Sequence, residues 1–538
     1  MGPVAYPSRH RNNPQWKVAT IRKFLFAILF TAISLRSNNL QLHIIPSFAN
    51  PPSPTSSSSS HSSSHASLPN NTPTPTTPSD PITTVAYIIS IFQCSPKMSQ
   101  HLFDTATILQ RSIKLNSNPK HPHSRYASKL IAFTIGDIQP CDTFLKLAGF
   151  ELSPQVPPIN KLWIEMPEGS NLRSAIGDDG CCGDYELVKL NSYLLEEYAM
   201  VVHLDLDTLI LRPMDELFNV MYFDPNGEEG REARRKLVDV VAPTYLNKRV
   251  YGAEGREQME VEDVNATVAE GLLRNVTVNA FYTKDYNMII PKSKQSKRVG
   301  VQGGFLVLRP SFETYKELIS MVYTGEHYPG RDAENTGWFK SGYGMHIWGS
   351  LTIQGLLAYY FSELQVETSV ELNRCKYNQI ADNARVSTRN SKAKYPYGSI
   401  LPFMRNESNP RYNYYDTDCR DGRKNCDDVD CQRAPVEETR VAHYTYCKMP
   451  MNCLDCNTVM ETYKDLTCRK LIREWFRVRR TLPGVNDMGW WNVDDYKGGS
   501  STDCYNEYYL GYCDQQKGYK RIDHRNWTAL KDDYVVVP

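Results

Sequence analysis

The tightest constraint on the fold is an alternation of two hydrophobic periods. Residues 84–92, Thr-Val-Ala-Tyr-Ile-Ile-Ser-Ile-Phe, form a short β-branched run with almost no polar face. Such a run reads as a strand buried on both sides. Leu102, Ala106, Leu109 and Ile113 then recur at helical spacing. Residues 130–134 read as a second strand and 143–148 as a second helix. Strand, helix, strand, helix is the pattern of a parallel sheet covered by helices, which gives an α/β class. Further on, Asp184 is expected to cap a helix burying Leu187, Leu190, Leu194 and Tyr198. Strands are expected at 200–204, 237–242 and 301–308. Ser311 is placed to cap a helix that buries Tyr315, Leu318, Ile319 and Val322 and stops at Gly325. Residues 347–361 read as another apolar helix.

A chain of 538 residues holds two or three domains. Lys plus Arg number 61 against 60 Asp plus Glu, a net charge of +1 that excludes a strongly basic nucleic-acid binder. Residues 1–45 hold a basic start (Arg9, Arg11, Lys17, Arg22, Lys23) and then an apolar run at 24–35. That run is short for a bilayer span and fits a signal peptide; with its neighbours it also fits a type II signal anchor. Residues 46–81 are Ser, Thr and Pro with almost nothing to bury, as in a disordered stem. The globular core is expected at 82–370, with a charged surface insertion at about 223–280, followed by a Cys-rich irregular part at 371–538. N-x-Ser/Thr acceptors at Asn70, Asn265, Asn275, Asn406 and Asn526 agree with a lumenal chain. So do 14 Cys, ten of them between Cys375 and Cys513. Cys453-x-x-Cys456 has a zinc-like spacing, but no second pair accompanies it, so disulfides are favoured over zinc. The expected location is the Golgi or ER lumen as a single-pass type II membrane protein, or outside the cell after cleavage.

The richest chemistry lies at residues 203–207, His-Leu-Asp-Leu-Asp. Carboxylates at i and i+2 of an extended chain point the same way. At the C-terminal end of a buried parallel strand they open into the crevice where α/β sheets bind ligands. Two hard oxygen donors there suit Mg²⁺ or Mn²⁺ bridging a diphosphate. Asp428-Val-Asp430 repeats the spacing but is flanked by Cys and polar residues, and reads as solvated surface.

In this context the chain resembles the glycogenin-like glycosyltransferases of family 8, which have the nucleotide-diphosphosugar (GT-A) fold. Five stretches carry the resemblance, in the family's order: 187–190 (Leu-Val-Lys-Leu), 203–211, 301–311 (Val-Gln-Gly-Gly-Phe-Leu-Val-Leu-Arg-Pro-Ser), 354–357 (Gln-Gly-Leu-Leu) and 443–450 (His-Tyr-Thr-Tyr-Cys-Lys-Met-Pro). The resemblance implies a Rossmann-like, mostly parallel mixed sheet flanked by helices. It implies that Asp205, Asp207 and His443 hold the metal, and a nitrogen ligand beside two carboxylates leans toward Mn²⁺ over Mg²⁺. Lys189 and Lys448 would hold the diphosphate, Gln302, Gly303 and Gly304 would line the sugar, and Gln354 would face the anomeric carbon. His443 and Lys448 would complete the site from the Cys-rich part. Asp285, before the sugar-facing strand, is a candidate catalytic or sugar-binding carboxylate beside Gln354 and Lys189.

The chain departs from the family in four places. Ile353 stands where the family has Asp, Gln302-Gly-Gly304 replaces Asn-Ser-Gly, Lys448 lies one residue nearer His443, and Met449-Pro450-Met451 replaces Pro-Trp. The implied activity is retaining, Mn²⁺-dependent transfer of a hexose, pentose or GlcNAc unit from a UDP-sugar to a glycan or glycoprotein. The metal and lysines would neutralise the leaving diphosphate. One rival reading is a catalytically degenerate, secreted carbohydrate-binding protein on the same fold. Another is a primer that glucosylates its own tyrosines, to which the Tyr-rich stretches 412–415 and 505–509 would be suited. Trp490-Trp491 reads as packing before an acceptor platform.

Overall fold

The computed structural model describes residues 81–119, 124–139, 141–180, 182–255, 264–286, 298–330, 335–344, 349–382, 384, 419–421, 426, 429–453, 466–482, 507–513 and 518–522. The chain divides into Met1–Thr74 and Pro75–Pro538, and every described residue belongs to the second unit. The apolar run at 24–35, the Ser/Thr/Pro stretch to residue 80, the acceptors at Asn70, Asn406 and Asn526, residues 412–415 and Trp490-Trp491 lie outside the described residues. Among the described residues no helix is long and apolar enough to cross a membrane.

The strands in chain order are β1 (Thr84–Ile91), β2 (Ala127–Thr134), β3 (Glu151–Pro154), β4 (Val201–Leu204), β5 (Thr208–Ile210), β6 (Ala280–Tyr282), β7 (Lys284–Asp285), β8 (Gly300–Val301), β9 (Phe305–Leu308), β10 (His327–Tyr328), β11 (Gly337–Trp338), β12 (Ser369–Glu371) and β13 (Val441–His443). Seven of them form one mixed sheet in the order β12-β6-β9-β4-β1-β2-β3. The run β4-β1-β2-β3 is parallel, and β9 lies antiparallel between β4 and β6. The expected α/β class with a mostly parallel sheet is what the chain forms.

The alternation of β1 explains its central place. Val85, Tyr87, Ile89 and Ile91 enter one core with the Pro96–Asn116 helix. Ala86 and Ile88 enter the opposite core with Leu187, Leu190, Leu318 and Leu356. Side chains of a strand point alternately to its two faces, so a run without a polar side must be covered on both. Ser95 caps the Pro96–Asn116 helix by accepting from the Met98 amide, with Pro96 at its first position. Ser311 caps the Phe312–Tyr323 helix through the Thr314 amide, and Gly325, at φ 68°, follows its end as expected.

Four expectations need correction. Residues 183–194 form a 3-10 helix, with Leu194 exposed and Tyr198 beyond its end. With three residues per turn, Glu186, Lys189 and Ser192 fall on one line. That line meets the polar groups of β4: Lys189 pairs with Asp205 and Ser192 bonds His203. The strand expected at 237–242 is instead the end of the Glu228–Leu237 helix and a 3-10 turn, with only Val241 bridging to Leu372. The run at 301–308 is broken, Val301 pairing with β7 and Phe305–Leu308 with β4, because Gly303 and Gly304 pass under the site. The apolar helix starts at Ile353 and ends in a π turn, Tyr360–Leu364.

Among its described residues the segment expected as an insertion forms the α-helices Glu228–Leu237, Pro243–Gly255 and Ala266–Leu273, and it buries Leu237, Ala269 and Leu273 in the β1 core. The C-terminal part is tied by Cys375–Cys431, Cys419–Cys426, Cys447–Cys468 and Cys453–Cys513. Cys453 is thus in a disulfide, as favoured over zinc. Cys94–Cys141 ties the chain just after β1 to the Cys141–Leu147 helix that follows β2.

Candidate functional site

The polar centre sits where β4 ends. The Asp205 amide donates to Gly304 O at 3.0 Å, and the Thr208 amide and hydroxyl both return to Asp205 O, at 3.1 and 2.7 Å. This turn holds Asp205 and Asp207 at the C-terminal edge of the parallel strands. The chain then continues as β5, which pairs antiparallel with β13 so that His443 stands opposite Thr208. Facing residues in such a pair are neighbours across the ladder, and the Tyr444 amide donates to Asp207 O at 2.9 Å. A short ladder thus brings His443 beside a motif more than two hundred residues earlier.

His443 Nε2 lies 3.1 Å from Asp207 Oδ1 and 4.0 Å from Asp205 Oδ2. One donor atom from each of the three residues falls within 4.8 Å of the others. Donors sharing an ion with bonds of about 2.0–2.2 Å stand about 3–4.4 Å apart. Two carboxylates and an imidazole therefore fit a small divalent cation with only slight contraction. Gly304 supplies a second sign of fit. A Cβ there would stand 2.3 Å from His443 Cε1 and 2.9 Å from Asp205 Oδ2, so only glycine leaves the cradle open.

The charged groups of this centre shift one another's titration. Burial opposes protonation of His443, but Asp207 and then Asp205 outweigh it and hold its pKa above the ordinary imidazole range. Burial would raise the Asp207 pKa, and the contacts from His443 and Thr445 bring it below the usual carboxylate range instead. A cation at Nε2 would replace a proton there. Lys189 is buried, and despite that its pKa is raised by Asp205 and Glu186. Its ammonium reaches Asp205 Oδ1 at 2.7 Å, Gly303 O at 3.1 Å and Glu186 Oε2 at 3.2 Å. Three acceptors use all three of its hydrogens, so Lys189 holds Asp205 in place as well as carrying charge.

A cavity of about 850 Å³ opens beside this centre. Lys189, Asp205, Asp207, Asp285, Gln302 and Gln354 all border it. Its volume is in the range of sites for molecules of nucleotide size. Gln354 stands at the start of the Ile353–Tyr359 helix, close enough that a Cβ on Gly349 would meet its Oε1 at 2.2 Å. Gln302 is turned inward: its Oε1 accepts from the Gly304 amide at 2.5 Å and from Asn378 Nδ2 at 3.2 Å. Gly303 and Gly304 are buried under the carboxylates. Asp285, on β7, is buried and acts electrostatically on the buried Arg374 and Arg420. Lys448 is exposed at φ 58° and is not part of the cavity wall, although Thr445, Met449 and Met451 are. Ile353 is buried and borders the cavity as an apolar group.

Other residues here are given no site role by the sequence, although His203 and Thr445 lie within the stretches quoted above. Thr445 Oγ1 lies 2.6 Å from His443 Nε2 and 3.3 Å from Asp207 Oδ2. Asn378 contacts the other nitrogen of the same ring. His203 is fully buried between Ser90 and Ser192, and burial, then Lys189, keeps its pKa well below the usual range. Asp430, read as solvated, is buried: its Oδ1 accepts from the Gln432 amide beside the Cys375–Cys431 disulfide.

No known sequence family matches the chain, and no curated protein does. Among solved structures it is similar to the bifunctional glycosyltransferase WbbM in apo form, at 10% identity and TM-score 0.32 over 75% of this chain and 51% of that one. The chain thus spans about half of WbbM's length. It is similar to the galactosyltransferase LgtC in complex with donor and acceptor sugar analogs, at 9% identity and TM-score 0.30 over 75% of this chain and 99% of that one. It is also similar to mouse xyloside xylosyltransferase 1 in apo form, at 10% identity and TM-score 0.29 over 55% of this chain and 87% of that one. Likenesses this distant assign neither a substrate nor a residue role.

Proposed function

We propose that the chain is a metal-dependent glycosyltransferase of the GT-A type, using a UDP-sugar and retaining the configuration at the anomeric carbon. One observation carries the reading: Asp205, Asp207 and His443 converge, with Lys189 behind them, at the edge of a cavity at the C-terminal end of the parallel strands. This is where α/β sheets bind ligands, and the donor set suits a cation that bridges a diphosphate. The family-8 resemblance adds the UDP-sugar, Mn²⁺ and retention.

Asp205 and Asp207 would face the ribose and diphosphate, with His443 completing the set from below. A bound divalent cation would supply charge neutralisation for the departing diphosphate. Lys189 keeps Asp205 fixed and adds a positive charge to the floor. Gln354 borders the cavity as an amide that can orient a sugar but is a poor nucleophile. Asp285 is the nearby carboxylate, within electrostatic reach of Arg374 and Arg420. A front-side attack by the acceptor hydroxyl suits this wall, because it asks for positioning and electrostatics rather than a protein nucleophile. We place the enzyme in the Golgi or ER lumen, membrane-anchored by residues 1–45, acting on a glycan or glycoprotein.

The test is release of UDP from a panel of UDP-sugars by residues 82–538 made in a secretory host, with Mn²⁺ and with chelator. Metal-dependent release from one sugar, lost in the double variant Asp205→Ala/Asp207→Ala, is the expected result. A folded protein that binds neither UDP nor Mn²⁺ would sink the transferase reading and favour the carbohydrate-binding alternative.

A further inference from the structure

We infer that Asn378 is a positioning residue that fixes which nitrogen of His443 faces Asp205 and Asp207; this rests on the metal-site reading above. The argument starts from an amide that can only donate. The Gly304 N–H points at one terminal atom of Gln302, 2.5 Å away, so that atom is the oxygen Oε1. The Asn378 atom 3.2 Å from this oxygen must then be its NH₂, which also donates to Thr283 Oγ1 at 3.0 Å. The remaining terminal atom of Asn378 is its oxygen, and it lies 2.8 Å from His443 Nδ1. An oxygen there can only accept, so Nδ1 carries a proton. The lone pair of the neutral ring is thereby left on Nε2, the nitrogen beside the two carboxylates. Orientation passes from one backbone amide through two side-chain amides to the imidazole.

The local backbone supports the assignment. Asn378 is buried at φ 62°, a conformation that Asn tolerates better than other residues with a side chain. The next residue locks the segment against β13: the Gln379 amide donates to Val441 O at 2.8 Å, and the His443 amide donates to Gln379 O at 3.0 Å. No other residue type fits all the demands. Glycine has the backbone freedom without the amide, and aspartate has the acceptor without the donors to Gln302 and Thr283. Partners on the distal ring nitrogen of a ligating histidine fix its tautomer and orientation.

The test is Mn²⁺ affinity of the purified full-length chain without donor, read from the EPR signal of free Mn²⁺. Asn378→Gly is expected to weaken binding by about 10–100-fold, the range for residues that orient a metal ligand. Asn378→Asp, which keeps only the acceptor, is expected to recover most of that loss. Wild-type affinity in the glycine variant overturns the inference while leaving the metal site standing. Equal weakness of both variants assigns the effect to the amide donors and also overturns it. Absence of Mn²⁺ binding in the wild type sinks the metal reading, and the inference with it. If the glycine variant does not fold, ¹⁵N-histidine spectra of the Zn²⁺-loaded wild type decide, with His443 identified by His443→Gln. A proton on Nδ1 supports the inference, and a proton on Nε2 ends it.

Discussion

The two halves of the site are held in place by different physics. Asp205 and Lys189 sit on a sheet and a helical segment whose neighbours are apolar and fully buried on both faces. His443 and Asn378 come from a part that joins the β1 core through Tyr377, Val441 and Tyr444 but has few strands of its own, so that short ladders, turns and disulfides tie it in place. The sheet side gains precision from packing, because side chains at interior density have nowhere to go. The cross-linked side gains it from closed loops and directed hydrogen bonds. The proposed metal set, Asp205, Asp207 and His443, straddles the boundary, so each half can be perturbed separately.

The largest effect is expected at Gly304, where the halves touch. Gly304→Ala places a methyl 2.3 Å from His443 Cε1 and 2.8 Å from its Nδ1, and the ring is held by Asn378 and cannot retreat. Overpacking of this kind costs about 1–3 kcal/mol of stability. The loss of Mn²⁺ affinity should exceed the ~10–100-fold typical of changes around a ligand. Gly303→Ala is the control: its nearest neighbours would be Ile353 Cγ2 at 3.2 Å and Gln354 Cγ at 3.3 Å, so the effect should be milder. Equal effects of the two substitutions on Mn²⁺ binding would remove Gly304 as the point of contact.

A smaller effect on Mn²⁺ affinity is expected from opening the cross-linked half alone. Gln379 Nε2 donates to Cys375 O at 3.3 Å and to Cys431 O at 3.1 Å, so the Cys375–Cys431 disulfide braces the segment that carries Asn378. Cys375→Ala/Cys431→Ala should cost about 2–5 kcal/mol in denaturant melts and about tenfold in Mn²⁺ affinity. Far-UV circular dichroism should hardly change, because the sheet does not depend on that bond. A large stability loss with unchanged affinity would mean that the bond stabilises the half without positioning its ligand.

The same division governs what can be read from the chain. The sheet side announces itself: residues 84–92 are apolar but for Thr84 and Ser90, and Ser311 and Gly325 bracket a helix as helix chemistry requires. Asp205 and Asp207 gain meaning from the buried strand before them. What the pattern hides are choices made by tertiary partners. Residues 183–194 look α-helical by spacing, yet a line of polar contacts to β4 selects the three-residue turn. Residues 237–242 look like a strand, yet the charged helix formers before them and the buried Arg234, which donates to the carbonyls of Val276 and Gly230, carry the helix through Leu237. On the cross-linked side His443 could be found only through the family resemblance. Asn378 left no trace, because a single Asn in an irregular segment has no period to reveal it, and Thr445 lies in the stretch quoted for His443 without a role that spacing could give it.

The smallest effect concerns the seam between the halves away from the site. Asp104, on the Pro96–Asn116 helix, is buried and accepts from the Ile522 amide of the C-terminal part at 3.1 Å. Burial pushes its carboxyl up to about 7, although Arg479 and Arg521 nearby offset part of that. A folded value above the unfolded one means that the folded state holds the proton more tightly. The stability this lends is complete below about pH 4, where the carboxyl is protonated in both states. It declines as the pH rises, because the unfolded chain releases the proton first, and it is gone above about 7. Asp104→Asn keeps an acceptor for Ile522 and removes the titration. The variant should therefore melt about 1–2 °C above wild type at pH 8, with the gap closing as the pH falls toward 4. A gap that stays constant across this range would mean that Asp104 does not titrate at the seam, leaving the packing of the Leu466–Arg480 helix against the Pro96–Asn116 helix to join the two halves there.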